Sequence, residues 1–98
     1  MTYTLGIREE AESDISQYFV YYEEVRVGLG HDFLLCVEEG LAKIQRNPLN
    51  YRIAYKNLRR MAIRRFPYRI FYFVQDEVVI VTAVFHAHKK PQSWHKRT

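Results

Sequence analysis

Between residues 9 and 25 the apolar side chains Ala11, Ile15, Tyr18, Tyr22 and Val25 recur at steps of four, three, four and three, which is one stripe of a helix. Glu9, Glu10 and Glu12 occupy its first turn, where a helix N-terminus favours negative charge. The stretch VGLGHDF, 27–33, then breaks the pattern with two glycines. Leu34, Val37, Leu41 and Ile44, with Phe33 beside them, renew it at steps of three, four and three. That second helix ends at RNP, where Asn47 can cap and Pro48 cannot continue. Two antiparallel amphipathic helices joined by a few residues form a helical hairpin, and their apolar stripes need a sheet to cover.

The period then changes. Residues 3–7 are a short strand candidate before the first helix, and LRRMAI (58–63), YRIFYFV (68–74) and VVIVTAVF (78–85) are three more after the second. Only Gln75-Asp76-Glu77 separates the last two, a hairpin length, so the meander is expected to be antiparallel. The last strand is apolar everywhere except Thr82, which predicts an interior strand covered on both faces. The order β-α-α-β-β-β describes an α+β domain of two layers spanning 1–98, the N-terminal strand and helical hairpin packed on an antiparallel sheet. In the strand from Tyr68, alternation puts Ile70, Tyr72 and Val74 on the face toward the helices and Arg69, Phe71 and Phe73 on the other. The segment HAHKKPQSWHKRT, 86–98, is expected to leave the sheet as a basic tail, and Arg69 is thereby expected beside Arg64, Arg65 and the start of that tail, in a cationic groove floored by aromatics.

Charge sharpens this picture. Residues 1–50 carry four basic against nine acidic side chains, a balance of −5, whereas 51–98 carry eleven against two, a balance of +9. If the halves occupy different layers, one face attracts polyanions or an acidic partner. Because the acidic helices are expected on the far side of the sheet, the arginines are expected to meet something outside the monomer. A chain of 98 residues affords one compact core. Cys36 is alone and cannot pair internally, so a reducing, cytoplasmic setting is expected, with Cys36 as a small buried apolar residue. The first residues show no basic segment followed by an apolar run, and no eighteen apolar residues occur in a row, so no export signal and no membrane span are expected.

Candidate chemistry is sparse. His86 and His88 alternate and could join His95 around a metal, but no fourth ligand stands at suitable spacing, so no metal is expected. No dinucleotide-binding or phosphate-loop glycine motif occurs, and no cofactor is expected. RNA cleavage would require activation of a ribose hydroxyl, protonation of the leaving oxygen and charge stabilisation on the phosphate. Arg64, Arg65, Arg69 and Lys89 suit the last task, and His86 or His88 the proton transfers. Trp94 is either an anchor on a partner or a cover for the sheet. Tyr18 and Tyr22 belong to the core stripe, and Tyr21 points elsewhere.

The helix opening REEAESDI, the segment NPLNYR after the second helix, RRFPYRIFY and above all VFHAHKKPQSW together resemble the RelE/ParE superfamily of toxins from bacterial type II toxin–antitoxin modules, over nearly the whole chain. The resemblance implies a small protein that is toxic when free and neutralised by a cognate antitoxin. RelE-like members cleave mRNA on the ribosome without a metal, whereas ParE-like members, some of them plasmid-stabilising, poison DNA gyrase. The arginine of the YRI motif, Arg69, fits both patterns. The RelE pattern adds a lysine-rich strand and a C-terminal tyrosine, where this chain has Arg59, Arg60 and Trp94. Its ending, histidine to basic pair to Pro91 and Trp94, is closer to ParE-like proteins. The expected function is therefore gyrase inhibition through Arg59, Arg60, Arg64, Arg65, Arg69, Lys89, Lys90 and Trp94. The alternatives are a RelE-like endoribonuclease using Arg69, His86 and His88, or an inactive module that only binds its partner.

Overall fold

The structure is a computed structural model and describes residues 2–98. Strand β1 (Thr4–Ile7) leads into helices α1 (Glu9–Val25) and α2 (Leu29–Arg46) and a 3-10 turn (Pro48–Asn50). Strands β2 (Ile53–Tyr55), β3 (Leu58–Ala62), β4 (Tyr68–Gln75) and β5 (Val78–His86) follow, and helix α3 (Pro91–His95) closes the chain. The architecture is α+β, with the α1–α2 hairpin on one face of a five-stranded sheet ordered β1-β5-β4-β3-β2. β5 is interior, as its continuous apolar run requires.

Three features differ from the sequence expectation. The sheet is mixed, because β1 pairs with β5 in parallel, Thr4 opposite Val78 through Ile7 opposite Val81. The helical hairpin and the meander together form the long connection that a parallel pair needs. A three-residue strand, β2, is too short for alternation to show, and it forms an edge against β3. The basic tail does not leave the sheet: Pro91 opens α3, suited to a first helical position, and α3 lies on the face opposite the hairpin.

Alternation along β4 sorts the core as expected. Ile70 and Tyr72 pack with Phe33, Val37, Ile44, Val79, Val81 and Val84 under the helices, while Phe71 belongs to a smaller cluster with Leu58, Ala83, Phe85 and Trp94. Tyr18 and Tyr22 join Phe33, Phe66 and Tyr68 in an aromatic group, with Tyr18 and Tyr68 centroids 4.4 Å apart. Burial raises the Tyr72 phenol to about 12, and its hydroxyl donates to Pro48 O at 2.5 Å, tying the 3-10 turn to β4. Val25, the last member of the α1 stripe, is 60% exposed because the helix runs out there.

The hairpin turn explains its glycines. Gly28 takes a left-handed φ of 91°, and a Cβ on Gly30 would lie 2.7 Å from Phe19 O, so α2 starts at Leu29, inside the stretch expected to be a break. Glu23 accepts hydrogen bonds from the backbone N–H of Gly28 (2.9 Å) and Gly30 (2.8 Å), satisfying donors at the start of α2. Those bonds hold its carboxyl below the usual carboxylate range, with the Gly28 N–H the largest cause.

Asp14 lies on the core side of α1 and is only 7% exposed. β1 ends opposite Val81, which leaves the next stretch of β5 without a neighbouring strand on that side. Asp14 Oδ2 accepts the Val84 N–H there at 3.0 Å. Arg97 completes the arrangement, its Nη1 2.7 Å from Asp14 Oδ2 and 3.3 Å from Thr82 O, its Nη2 3.3 Å from Asp14 Oδ1. Thr82 marks a register shift between β4 and β5 opposite Phe71 and Tyr72, and its hydroxyl donates to Phe71 O at 3.4 Å.

Two expectations follow from these carboxylates. Asp14→Ala leaves both the Val84 N–H and Arg97 without their partner, and is expected to lower unfolding free energy by about 3 kcal/mol in urea denaturation. Its coupling to Arg97→Met in a double-mutant cycle is expected to be positive and resistant to salt. Glu23 has a depressed folded pKa, so its contribution is present above the unfolded value and is lost as pH falls through the lower folded value. Glu23→Gln is therefore expected to flatten the acid limb of the stability–pH curve, leaving the alkaline limb unchanged.

Candidate functional site: a cationic cleft beside the open edge of the sheet

Pairing of β2 with β3 ends where the Arg60 N–H donates to Arg52 O at 3.1 Å. Beyond it β3 has an open edge, and a cleft of about 500 Å³ forms between that edge, α2 and the segment leading to β2. Lys43 of α2, Asn50, Tyr51 and Arg52 of the segment, Arg60, Met61 and Ala62 of β3, and Arg69 of β4 line it. Register places Ala62 opposite Arg69, and Arg69 opposite Phe85, on the face away from the helical hairpin. Among the described residues no carboxylate lies within ion-pair distance of Arg52, Arg60 or Arg69. The Arg60 guanidinium is held below its usual pKa first by burial and then by the positive charges of Arg69 and Arg52. Uncompensated guanidiniums in a concave, partly desolvated setting create a strong local positive potential.

The other expected site residues separate into distinct places. Arg64 and Arg65 do not join Arg69. They stand in the turn between β3 and β4, where Arg64 Nε donates to Glu39 at 3.0 Å and Arg65 Nη1 lies 3.3 Å from Asp32, both acids of α2. Arg65 adopts a left-handed φ of 75° and the buried Phe66 follows it, so the turn folds toward the helices. The expectation that this pair faces away from the acidic layer is thus corrected. The same ion pair lowers the pKa of Glu39 and raises that of Arg64.

Arg59 braces the backbone, its Nη1 donating to Tyr51 O at 2.7 Å and Leu49 O at 3.3 Å. Lys89 stands over the Phe85 ring at 5.3 Å, and the exposed Lys90 precedes α3. Trp94 is 8% exposed and stacks on Phe71, centroids 4.7 Å apart and planes 20° apart. Of the two roles expected for it, sheet cover is the one the packing displays. The aromatic floor anticipated beneath Arg69 is therefore roofed by α3 at Phe71 and Phe85.

His86 pairs in register with Tyr68, whose ring it meets edge-on at 5.4 Å, and so faces opposite to Arg69 and Phe85. Its Nδ1 accepts the His88 backbone N–H at 3.1 Å, and the two imidazoles are 5.3 Å apart. Arg69, His86 and His88 are therefore not brought together on one face. His95 stacks on Tyr55 of β2 at 3.8 Å. Among the described residues no group of three His, Cys, Asp or Glu side chains is placed to hold a metal ion, and no helix is long and apolar enough to cross a membrane.

Sequence reasoning missed Arg52, Lys43 and Tyr51 in the cleft, and Asp14 with Arg97 at the strand edge. Arg52 does carry a signal, in the short apolar run RIAY beside a strand with two arginines. The Asp14–Arg97 pair spans 83 positions and carries none.

The fold and the cationic sheet edge define a class of small α+β proteins, a helical hairpin on a largely antiparallel sheet. Residues 5–91 match the family described as ParE toxin of type II toxin–antitoxin system, parDE, and the chain belongs to that family. No curated protein sequence matches it significantly. Among solved structures it is similar to a chain of the chromosomal ParDE system from P. aeruginosa, with a TM-score of 0.78, 11% identity, and 87% of this chain and 96% of the other covered. It is also similar to a chain of the RelBE2 toxin–antitoxin complex from Mycobacterium tuberculosis (TM-score 0.65, 22% identity, 88% and 99% covered). A chain of the intact E. coli RelBE toxin–antitoxin complex gives a TM-score of 0.64 at 23% identity, with 89% and 99% covered. At such identities these likenesses establish a shared fold.

Trp94→Ala is expected to lower stability by about 3 kcal/mol, because it empties the cover over Phe71. Limited trypsin digestion checks the location of the effect: cleavage after Lys89 or Lys96 should accelerate before the rest of the chain is cut.

Proposed function

We propose that this chain is the toxin of a type II module, that it acts by inhibiting DNA gyrase, and that a cognate antitoxin neutralises it in the cytoplasm. The observation that carries the reading is the match of residues 5–91 to the ParE toxin family. A second point supports docking over catalysis: neither histidine nor carboxylate lines the cationic cleft, and His86 faces the opposite side of the sheet from Arg69. On this reading Arg60 and Arg69, with Lys89 and Lys90 at the tail, form the basic face that meets the target. Arg59, Arg64 and Arg65 hold the surrounding backbone and turns in place, and Trp94 keeps α3 on the sheet.

The antitoxin would present an amphipathic segment to this chain. A groove between α1 and α2, lined by Ile7, Ile15, Leu34, Val37 and Leu41 and rimmed by Glu12 and Glu38, suits a helix with an apolar stripe. The RelBE neighbours are complexes of a toxin with its antitoxin, which supports a hetero-oligomer for this chain as well.

Purified gyrase acting on relaxed plasmid with ATP provides the test. Stoichiometric protein is expected to abolish supercoiling or to accumulate cleaved complex, with reversal by the antitoxin. Arg69→Ala is expected to raise the inhibitory concentration on the order of tenfold without lowering the melting temperature. Gyrase that is unaffected while ribosome-bound mRNA is cut would replace this reading with the RelE-like one. Absence of both effects with antitoxin binding retained would leave a partner-binding module.

A further inference from the structure

Beyond Val81 the β1 side of β5 has no strand neighbour, and Asp14 and Arg97 occupy only the first part of that gap. Beside them lies a cleft of about 610 Å³ between the first half of α1 and α3, on the opposite flank of α1 from the α1–α2 groove. Its charged walls are sorted by sign. Glu9 and Glu10 stand at one end, in the first turn of α1, with no cation within ion-pair distance among the described residues. Gln17 and Tyr18 mark the other end, about 10 Å along the helix at its rise of ~1.5 Å per residue. Lys89 belongs to that end: Tyr18 lies 4.4 Å from Tyr68, whose ring meets His86, and the Lys89 N–H donates to His86 O at 2.9 Å. The Lys89 ammonium stands over the Phe85 ring with no carboxylate in reach among the described residues. Between the two ends Asp14 and Arg97 answer each other. The helix dipole favours Glu9 and Glu10 where they stand, but gives no counter-charge to Lys89.

We infer that this cleft takes an extended peptide segment of a partner protein, with a basic side chain at the Glu9–Glu10 end and an acidic side chain at the Lys89 end. Three extended residues at ~3.3 Å each span about 10 Å, the separation of the two charged ends. A single ion or a free amino acid answers one end and leaves the other bare. A uniformly acidic segment meets Glu9 and Glu10, and a uniformly basic one meets Lys89, so like charges reject both. The neutral groups between the ends suit a main chain. The hydroxyls of Tyr18 and Ser93 make no side-chain hydrogen bond among the described residues, and burial, then the charge of Asp14, raises the Tyr18 phenol and keeps it a donor. The Val84 N–H turns to Asp14, away from β4, so strand alternation turns the His86 N–H to the same side, where no acceptor meets it among the described residues. The site shares no residue with the lining of the cationic cleft or of the α1–α2 groove, and it holds whether gyrase, the ribosome or neither is the target.

The probes are the peptide Lys-Lys-Ser-Ser-Glu-Glu, its reverse Glu-Glu-Ser-Ser-Lys-Lys, hexalysine and hexaglutamate, titrated at low salt into the full chain labelled with 15N. Saturable backbone amide shifts at Ser13, Gln17 and Ser93 are expected with one or both mixed peptides, in the millimolar range, and the tighter of the two gives the direction of the bound segment. Glu10→Gln and Lys89→Gln are each expected to weaken binding about threefold. Both residues are exposed and unpaired among the described residues, so these variants keep the fold. Lys90→Gln, next in sequence but outside the cleft, is expected to leave binding unchanged. Lys89→Glu is expected to turn the preference toward hexalysine. The proposal is overturned by the absence of saturable shifts with either mixed peptide, by binding of hexalysine or hexaglutamate as tight as that of the mixed peptides, or by equal weakening in Lys90→Gln.

Discussion

One carboxylate fixes the relation between the first helix, the interior strand and the end of the chain. β5 is flanked by β1 for only part of its length, and a strand edge left open inside a protein exposes N–H groups that must find acceptors. Asp14, on the sheet-facing side of α1, supplies the acceptor at Val84 and so ties that helix to the strand edge. An acid so deeply placed costs several kcal/mol unless its charge is met. Arg97 meets it and also takes the Thr82 carbonyl, so the same charge that closes the strand edge holds the last turn of the chain. With Arg97 fixed, α3 lies along the outer face and Trp94 reaches Phe71.

The polarity of charge along the sequence is spent in two ways. Part of the positive half neutralises part of the negative half across layers, through Arg64 to Glu39, Arg65 to Asp32 and Arg97 to Asp14. The exposed pairs contribute little, since solvent screens them and ordering long side chains opposes them. What they do is consume the acids nearest the sheet. The arginines beyond their reach keep their charge, and these line the open edge of β3.

Much of the fold was legible because it rests on period. The two helical stripes, the alternation that puts Ile70 and Tyr72 under the helices, and the continuous apolar run of β5 all survive in the structure. What escaped reading depends on three-dimensional turns. The Arg64–Arg65 step looked like an approach to Arg69, but a left-handed residue at 65 sends both side chains toward α2. The tail looked like a free basic extension because five residues, PQSWH, carry too little period to show a helix, and its docking depends on an ion pair remote in sequence. Arg52 escaped because β2 is three residues long, and only its pairing with β3 brings that arginine beside Arg60.

Three like charges share the cleft, those of Arg60 and Arg69 half-buried and that of Arg52 exposed, and none has a counter-charge among the described residues. Local repulsion of this kind lowers stability, and sequences that fold well carry such conflicts chiefly where another requirement holds them. Asp14 shows that this chain places an acid opposite an arginine when structure alone requires it. At the β3 edge no acid is placed among the described residues, and α2, whose acids Asp32, Glu38 and Glu39 come earlier in the helix, ends nearby in Lys43 and Arg46. The basic end of α2 favours its own helix dipole and adds to the field of the cleft at the same time. The unpaired charge of the cleft therefore arises from several elements that each satisfy a local rule, and only at their meeting point does it go unanswered.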